Sequence, residues 1–344
     1  MSTMPAPPDH QVFPLGDVVL QGRQTLRGAQ LAYKTYGRLN AARDNVIVYP
    51  TWYSGQHTEN EWLIGEGRAL DPNRYFIIIP NLLGNGLSSS PSNTPAPYNQ
   101  ARFPSVSLYD NVRLQHRLVT EVFGIEKIAL VTGWSMGAMQ TFQWGALYPD
   151  MVERILPFMG SARCSRHNQV FLEGLKAAMK ADAAFQDGWY DRPPVRGMRA
   201  FARVYAGWGL SQSFYRQELD IKALGFASLE DFLVGFWEGI FLGRDANNLL
   251  AMLGTWQQGD ISSNEVFQGD FAKALGAIRA QAIVMPASTD LYFPPADSEI
   301  EVSHMPHATL QVVDTVWGHL AGGPGTSPAD IAVIEAALTR LLAS

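Results

Sequence analysis

The chain predicts an α/β fold: a mostly parallel sheet flanked by helices, with an inserted helical cap. Three features carry that expectation. Short β-branched runs stopped by proline alternate with helical periods, a long central stretch loses strand character, and strand character returns near the C-terminus. The expected division is a first part of the core over 1–165, a cap over 166–276 and a second part of the core over 277–344.

From Asp17 to Leu39, the apolar residues Val18, Leu20, Ala29, Leu31 and Tyr33 alternate with polar ones around Gly22 and Gly28, the pattern of an antiparallel hairpin. Asn45 to Tyr49 and Tyr75 to Ile79 are apolar runs ended by Pro50 and Pro80. Both are too short for buried helices and read as central strands. Between Ser107 and Phe123, Leu108, Val112, Leu114, Leu118, Val119 and Val122 recur near helical spacing, and Gly124 follows as a stop. Lys127 to Thr132 gives the next strand. Strand, helix, strand in this rhythm is the unit of a parallel sheet, whose functional residues gather just beyond the strand C-termini. Arg166 to Gly276 is rich in Trp, Phe, Met and Ala at helical spacing. Ala282–Met285 and Thr309–Val313 then resume strand character, and Ala329 to Leu342 closes as an amphipathic helix.

Composition removes several function classes. With 344 residues, 47% hydrophobic and 17% charged, the chain can bury a large core. Its net charge of -6 repels phosphate backbones and anionic lipid, so neither nucleic acid nor membrane is an expected partner. The Met1–Leu20 stretch carries Pro and Asp ahead of any apolar run, and no segment reaches the roughly 18 apolar residues that span a bilayer. Cys164 is the only cysteine, which excludes an intramolecular disulfide and makes a cytoplasmic location the expectation. The seven histidines are scattered, without H-E-x-x-H or C-x-x-C spacing, so no metal is expected.

The chemistry centres on Gly133-Trp134-Ser135-Met136-Gly137, a G-x-S-x-G between an apolar strand and a helical segment. A serine there sits on a tight strand-to-helix turn, where glycines allow close backbone approach and the helix N-terminus favours developing negative charge. Serine alone is a poor nucleophile, so it needs an imidazole base and an orienting carboxylate. Asp290 lies a few residues past the Ala282–Met285 strand, and His319 follows the last strand beside Gly318. Asp290 could instead merely cap the Phe293-Pro-Pro turn, with Asp297 or Asp314 as the acid, but its position favours Asp290. His57 and His116 precede the serine, and His304 and His307 flank a proline in a loop, which leaves His319 as the better base. The oxyanion of a tetrahedral intermediate needs two backbone donors. Met136 offers one, and Tyr53, in the loop after the Val46–Tyr49 strand, the other. Trp52 and Tyr53 also read as ordinary buried aromatics.

Several motifs resemble the homoserine O-acetyltransferase family of α/β-hydrolases: Trp62–Asp71, Asp110–Leu118, Gly133–Gln140, Arg244–Asn247 and Asp290–Pro295. The resemblance implies an α/β-hydrolase fold, a triad of Ser135, Asp290 and His319, and an acetyl-enzyme on the serine. The family also includes esterases that pass the acetyl group to water, and the chain departs from the transferase pattern. The aspartate expected after the histidine, as partner for the homoserine ammonium, is Leu320. The cap arginine is matched by Arg203, but the tyrosine expected seven residues on is Leu210, and Trp134 stands where transferases carry glycine. A zwitterion entering a dry site without an ammonium partner is penalised. Trp52, Trp134, Trp317 and Arg203 are expected to line a small pocket for an uncharged ester. The expected activity is a serine carboxylesterase acting on short, acetate-type esters of small neutral alcohols, without metal or cofactor; a homoserine O-acetyltransferase or related acyl-CoA-dependent acyltransferase is the alternative. A homodimer formed through the apolar cap is also expected.

Overall fold

Alternation of apolar side chains along the strands builds the frame of the molecule. The computed structural model describes residues 9–323 and 325–344. The hairpin pairs β1 (Gln11–Val19) with β2 (Thr25–Tyr36) antiparallel, and begins earlier than the alternating pattern suggests. Its turn closes through Leu20 N–H to Gln24 O at 2.9 Å, and Gly16, at φ 72°, sits between two register shifts. The remaining strands are β3 (Val46–Val48), β4 (Phe76–Pro80), β5 (Leu130–Trp134), β6 (Arg154–Phe158), β7 (Gln281–Val284) and β8 (Ala308–Leu310). They form one eight-stranded sheet in the order β1-β2-β4-β3-β5-β6-β7-β8, parallel from β4 to β8.

Ile47, Ile77, Ile79, Leu130, Leu156 and Ile283 face one side of this sheet, and Val46, Val48, Ile78, Val131, Ile155 and Val284 the other. Such near-continuous apolar runs are what a sheet covered on both faces requires. On the second side lie α1 (Leu108–Arg117) and α2 (Met136–Leu147), through Val112, Phe142 and Trp144. Ser107 caps α1 by accepting from Asp110 N–H at 3.1 Å, and Asp110 returns a bond to Ser107 N–H at 3.0 Å. The helix runs on through a wide turn, Leu118–Val122, and stops at Gly124, φ 59°. On the first side the C-terminal helix Pro328–Leu342 contributes Ile334, Leu338 and Leu341.

Between β6 and β7 the described residues form helices and no named strand. Here α3 (Arg166–Lys180), α4 (Val195–Gly209) and the helix Ala246–Gln257 pack Phe171, Phe201, Tyr205 and Trp256 into the first-side core. The short helix Phe271–Gly276 instead places Ala274 and Leu275 in the core shared with α2. No helix among the described residues is long and apolar enough to cross a membrane.

Candidate active site

Ser135 follows β5 directly and precedes α2, at φ 59° and ψ -124°. A non-glycine residue held there stores about 1–3 kcal/mol of strain and persists only when its surroundings over-determine it. Ser135 N–H donates to Phe158 O at 3.2 Å, while its carbonyl accepts from Ala138 N–H at 2.9 Å and Met139 N–H at 3.2 Å. Three glycines make room for the turn. A Cβ on Gly133 would lie 2.4 Å from Gly137 C, and one on Gly137 would lie 2.8 Å from Pro50 O. A Cβ on Gly160, just past β6, would meet Ala138 Cβ at 2.5 Å and Ser135 O at 2.6 Å. Gly160 lies outside the motif, two residues past β6, and carries no signal of its own in the sequence.

The loops after β7 and β8 bring Asp290 and His319 to the serine. His319 Nε2 is 2.9 Å from Ser135 Oγ, and His319 Nδ1 is 2.8 Å from Asp290 Oδ2. All three residues are buried. An ionised carboxylate only accepts, so the network assigns the proton to Nδ1 and leaves the Nε2 lone pair to accept from the serine hydroxyl. The other oxygen, Asp290 Oδ1, accepts from Tyr292 N–H at 2.7 Å and Phe293 N–H at 3.2 Å. Capping the turn and orienting the imidazole, weighed above as alternatives, are thus both done by one side chain. Gly318, at φ 58°, packs so closely that a Cβ there would be 2.9 Å from Ser211 N. Its N–H donates to Thr289 Oγ1 at 3.1 Å, tying the histidine loop to the aspartate loop.

The loop Pro50–Gly55 is fixed from three sides. Thr51 N–H donates to Pro80 O at 3.2 Å, Gln140 Nε2 donates to Thr51 O at 2.9 Å, and Leu82 N–H donates to Thr51 Oγ1 at 2.9 Å. Tyr53 lines the same cavity as Ser135, and its hydroxyl donates to Leu249 O at 3.2 Å. Burial pushes the phenols of Tyr53 and Tyr292 well above their ordinary value, so both stay neutral. Met136 is the first residue of α2, where a backbone N–H has no intrahelical acceptor.

Ser135 and His319 open onto a cavity of about 250 Å³. Trp52, Tyr53, Trp134 and Leu320 line it from one side, and Tyr205, Phe236, Trp237, Ile240 and Phe241, from the helices between β6 and β7, from the other. Among the described residues Glu59 is the one acidic side chain in its lining, with Oε2 held by Arg244 Nη2 at 2.7 Å and by Gln56 N–H at 2.8 Å. Larger surface clefts of about 370, 380 and 660 Å³ include none of Ser135, His319 and Asp290.

Two residues expected in this pocket lie elsewhere. Arg203 is on the outward side of α4, where Glu238 accepts from its Nε at 2.7 Å and Glu230 from its Nη1 at 3.0 Å. Trp317 packs on Phe214, with ring centroids 5.1 Å apart, and is absent from the cavity lining. Among the described residues, Asp9, His10 and His57 form one cluster whose possible ligand atoms lie within 4.8 Å of one another. Asn81 Nδ2 donates to His57 Nδ1 at 3.2 Å, while Asn81 Oδ1 accepts from His57 N–H at 3.1 Å. The amide orientation thereby assigns the imidazole proton to Nε2, which donates to Asp9 at 3.1 Å.

Residues 53–322 match the alpha/beta hydrolase fold family, and the chain belongs to it. It is 42% identical over 337 residues to an ethyl acetate hydrolase of Pseudomonas veronii, covering 97% of this chain and 95% of that one. The solved structure of an acetylester hydrolase from Corynebacterium glutamicum superposes with a TM-score of 0.94 at 37% identity, covering 97% and 96% of the two chains. A homoserine O-acetyltransferase of Trichormus variabilis is 32% identical, over 87% of this chain and 86% of that one. The resemblance read from the motifs holds, with these two esterases more similar than this transferase.

Proposed function

We propose that this protein is a serine carboxylesterase that cleaves acetate-type esters of small neutral alcohols through an acyl-enzyme on Ser135. The observation that carries the reading is the hydrogen-bonded series Asp290, His319, Ser135, opening onto a small aromatic cavity. Ser135 Oγ attacks the ester carbonyl carbon as its proton passes to His319 Nε2. The N–H groups of Tyr53 and Met136 receive the oxyanion. His319 then gives the proton to the alkoxide oxygen as the C–O bond breaks, and the alcohol departs. Water enters, His319 takes its proton, the hydroxide adds to the acyl carbon, and collapse returns the proton to Ser135 and releases acetate. Asp290 keeps Nδ1 protonated and stabilises the imidazolium in both halves.

Water is the acceptor in this reading because Leu320, buried beside His319, sets no carboxylate next to the base, and the carboxylate in the cavity lining, Glu59, is already paired with Arg244. The cavity is at the small end for a ligand pocket, which favours short acyl and alcohol groups. The segment 166–276 serves as the cap over the site. We place the protein in the cytoplasm, in line with its single buried cysteine. We assign a homodimer to the cap, whose Leu229, Val234, Ile240 and Leu242 are exposed; light scattering at the monomer mass would refute it.

The test is product partition. Purified enzyme should hydrolyse ethyl acetate at a rate unaffected by homoserine, label with a fluorophosphonate at Ser135, and lose nearly all turnover as Ser135→Ala. Rapid O-acetylhomoserine formation from acetyl-CoA would establish the transferase instead.

A further inference from the structure

Trp134 does more than wall the cavity. Its indole stacks on the His319 imidazole with ring centroids 5.0 Å apart and planes 24° from parallel. Its Nε1–H also donates to the His319 carbonyl at 3.1 Å. One side chain therefore holds both the ring and the backbone of the same histidine. On the other sides of the imidazole, Tyr292 meets it edge-on at 4.6 Å and Phe293 lies at 5.5 Å. Trp134 is itself confined. Trp52 abuts it at 4.8 Å, and a Cβ on Gly323 would fall 2.6 Å from Trp134 Cε2, so the chain leaving the histidine closes directly over the indole.

We propose that Trp134 is a positioning residue that fixes the imidazole of His319 at the angle needed to shuttle protons to and from Ser135. The inference rests on the esterase reading above. Trp134 precedes Ser135 on the same strand end, so the nucleophile and the support of its base share one rigid piece of backbone. When His319 rotates about its side-chain bonds, Nε2 leaves the serine; the stacked face resists that rotation, and the indole N–H anchors the turn Gly318–Leu320 that carries the ring. The π face of the indole also attracts the imidazolium that forms in both half-reactions.

The experiment compares Trp134→Phe, which keeps an aromatic face and loses the N–H, with Trp134→Leu, which loses both. Methyl acetate and a butyrate ester serve as substrates, and Tm is recorded for each variant. Positioning predicts that kcat for methyl acetate falls at least about tenfold in Trp134→Leu, with KM within about threefold of the parent. Trp134→Phe should recover a substantial part of that loss at similar Tm. Unchanged kcat for methyl acetate, with the effect confined to KM or to faster butyrate turnover, would show a pocket wall alone. Equal losses in the two variants would remove the stacked face from the account. Fluorophosphonate labelling of the parent enzyme at a residue other than Ser135 would fail the esterase reading itself, whatever Trp134 does.

Discussion

Asp290→Asn isolates the electrostatic role of the acid from its structural one. Oδ1 of Asp290 faces two backbone donors, Tyr292 N–H and Phe293 N–H, at 2.7 and 3.2 Å. An asparagine must therefore keep its carbonyl oxygen there and turn its NH2 toward His319 Nδ1, because the flipped amide would set a donor against both N–H groups. Nδ1 then has to accept, the ring proton moves to Nε2, and the base meets Ser135 Oγ as a donor. A carboxylate-to-amide change that enforces this wrong tautomer lowers kcat about 10⁴-fold, or about 5.5 kcal/mol. Folding stability should change little. Asp290→Ala loses the same catalysis and also strands two buried N–H donors, at about 1–3 kcal/mol each. Ester hydrolysis by pH-stat and thermal unfolding of both variants separate the two effects. An asparagine variant within tenfold of the parent kcat, or one as unstable as the alanine variant, would refute this account of the site.

Two further predictions concern charge. Burial pushes the Glu301 carboxyl well above its ordinary 4.5, so the folded protein keeps a proton that the unfolded chain has lost. The stability this group contributes is full below 4.5 and is lost as pH rises through the raised folded value. Glu301→Gln keeps an oxygen for Ala162 N–H and removes the titration, so its Tm relative to the parent should rise between pH 5 and pH 9; a constant difference would contradict this. Glu59 brings a carboxylate to the cavity, and among the described residues no donor meets its Oε1. An acetate ester with a carboxylate in its alcohol half should therefore be cleaved about tenfold less efficiently than its neutral isostere. Glu59→Gln or added salt should narrow that ratio, and a ratio unmoved by either would remove Glu59 from substrate selection.

What could be read from the chain follows the strength of the local signals. Val46–Val48 and Phe76–Pro80 are β-branched, aromatic and ended by proline, so they are visible as strands. The strand β6 was invisible because Arg154 opens it and Pro157, which lacks an N–H, lies inside a central strand. The sheet tolerates Pro157 next to the strand's C-terminal end, where its carbonyl accepts from Met285 N–H at 3.0 Å. The convergence of Ser135, Asp290 and His319 was legible because each lies just past a strand, at the end of the sheet where parallel folds bring loops together. Pocket residues on the helices between β6 and β7 were harder, since motif matching ignores helical phase. Along α4, Met198, Phe201, Ala202 and Tyr205 mark the buried face, whereas Arg199 and Arg203 share the other and pair with Glu238. That periodicity is in the sequence and would have placed Arg203 outside the pocket.

Two of the departures from the transferase pattern, Trp134 and Leu320, meet at one imidazole. Trp134 stacks against the His319 ring, and Leu320 follows it in the chain, and both line the cavity. A glycine at position 134 would leave open the volume that the indole fills, and an aspartate at 320 would hold a cation next to the base. Exchanging both for apolar bulk narrows the space at the acyl carbon and leaves no carboxylate directly beside the base to hold an ammonium, the cavity's Glu59 being paired with Arg244. An acyl-enzyme formed in such a site still has its general base, but the acceptor that fits most readily is a small, uncharged molecule already abundant at the cavity mouth. In the proposed esterase reading, the choice of water over homoserine is therefore a consequence of volume and of a missing charge partner beside His319, with the hydrogen-bonded series Ser135, His319 and Asp290 unchanged.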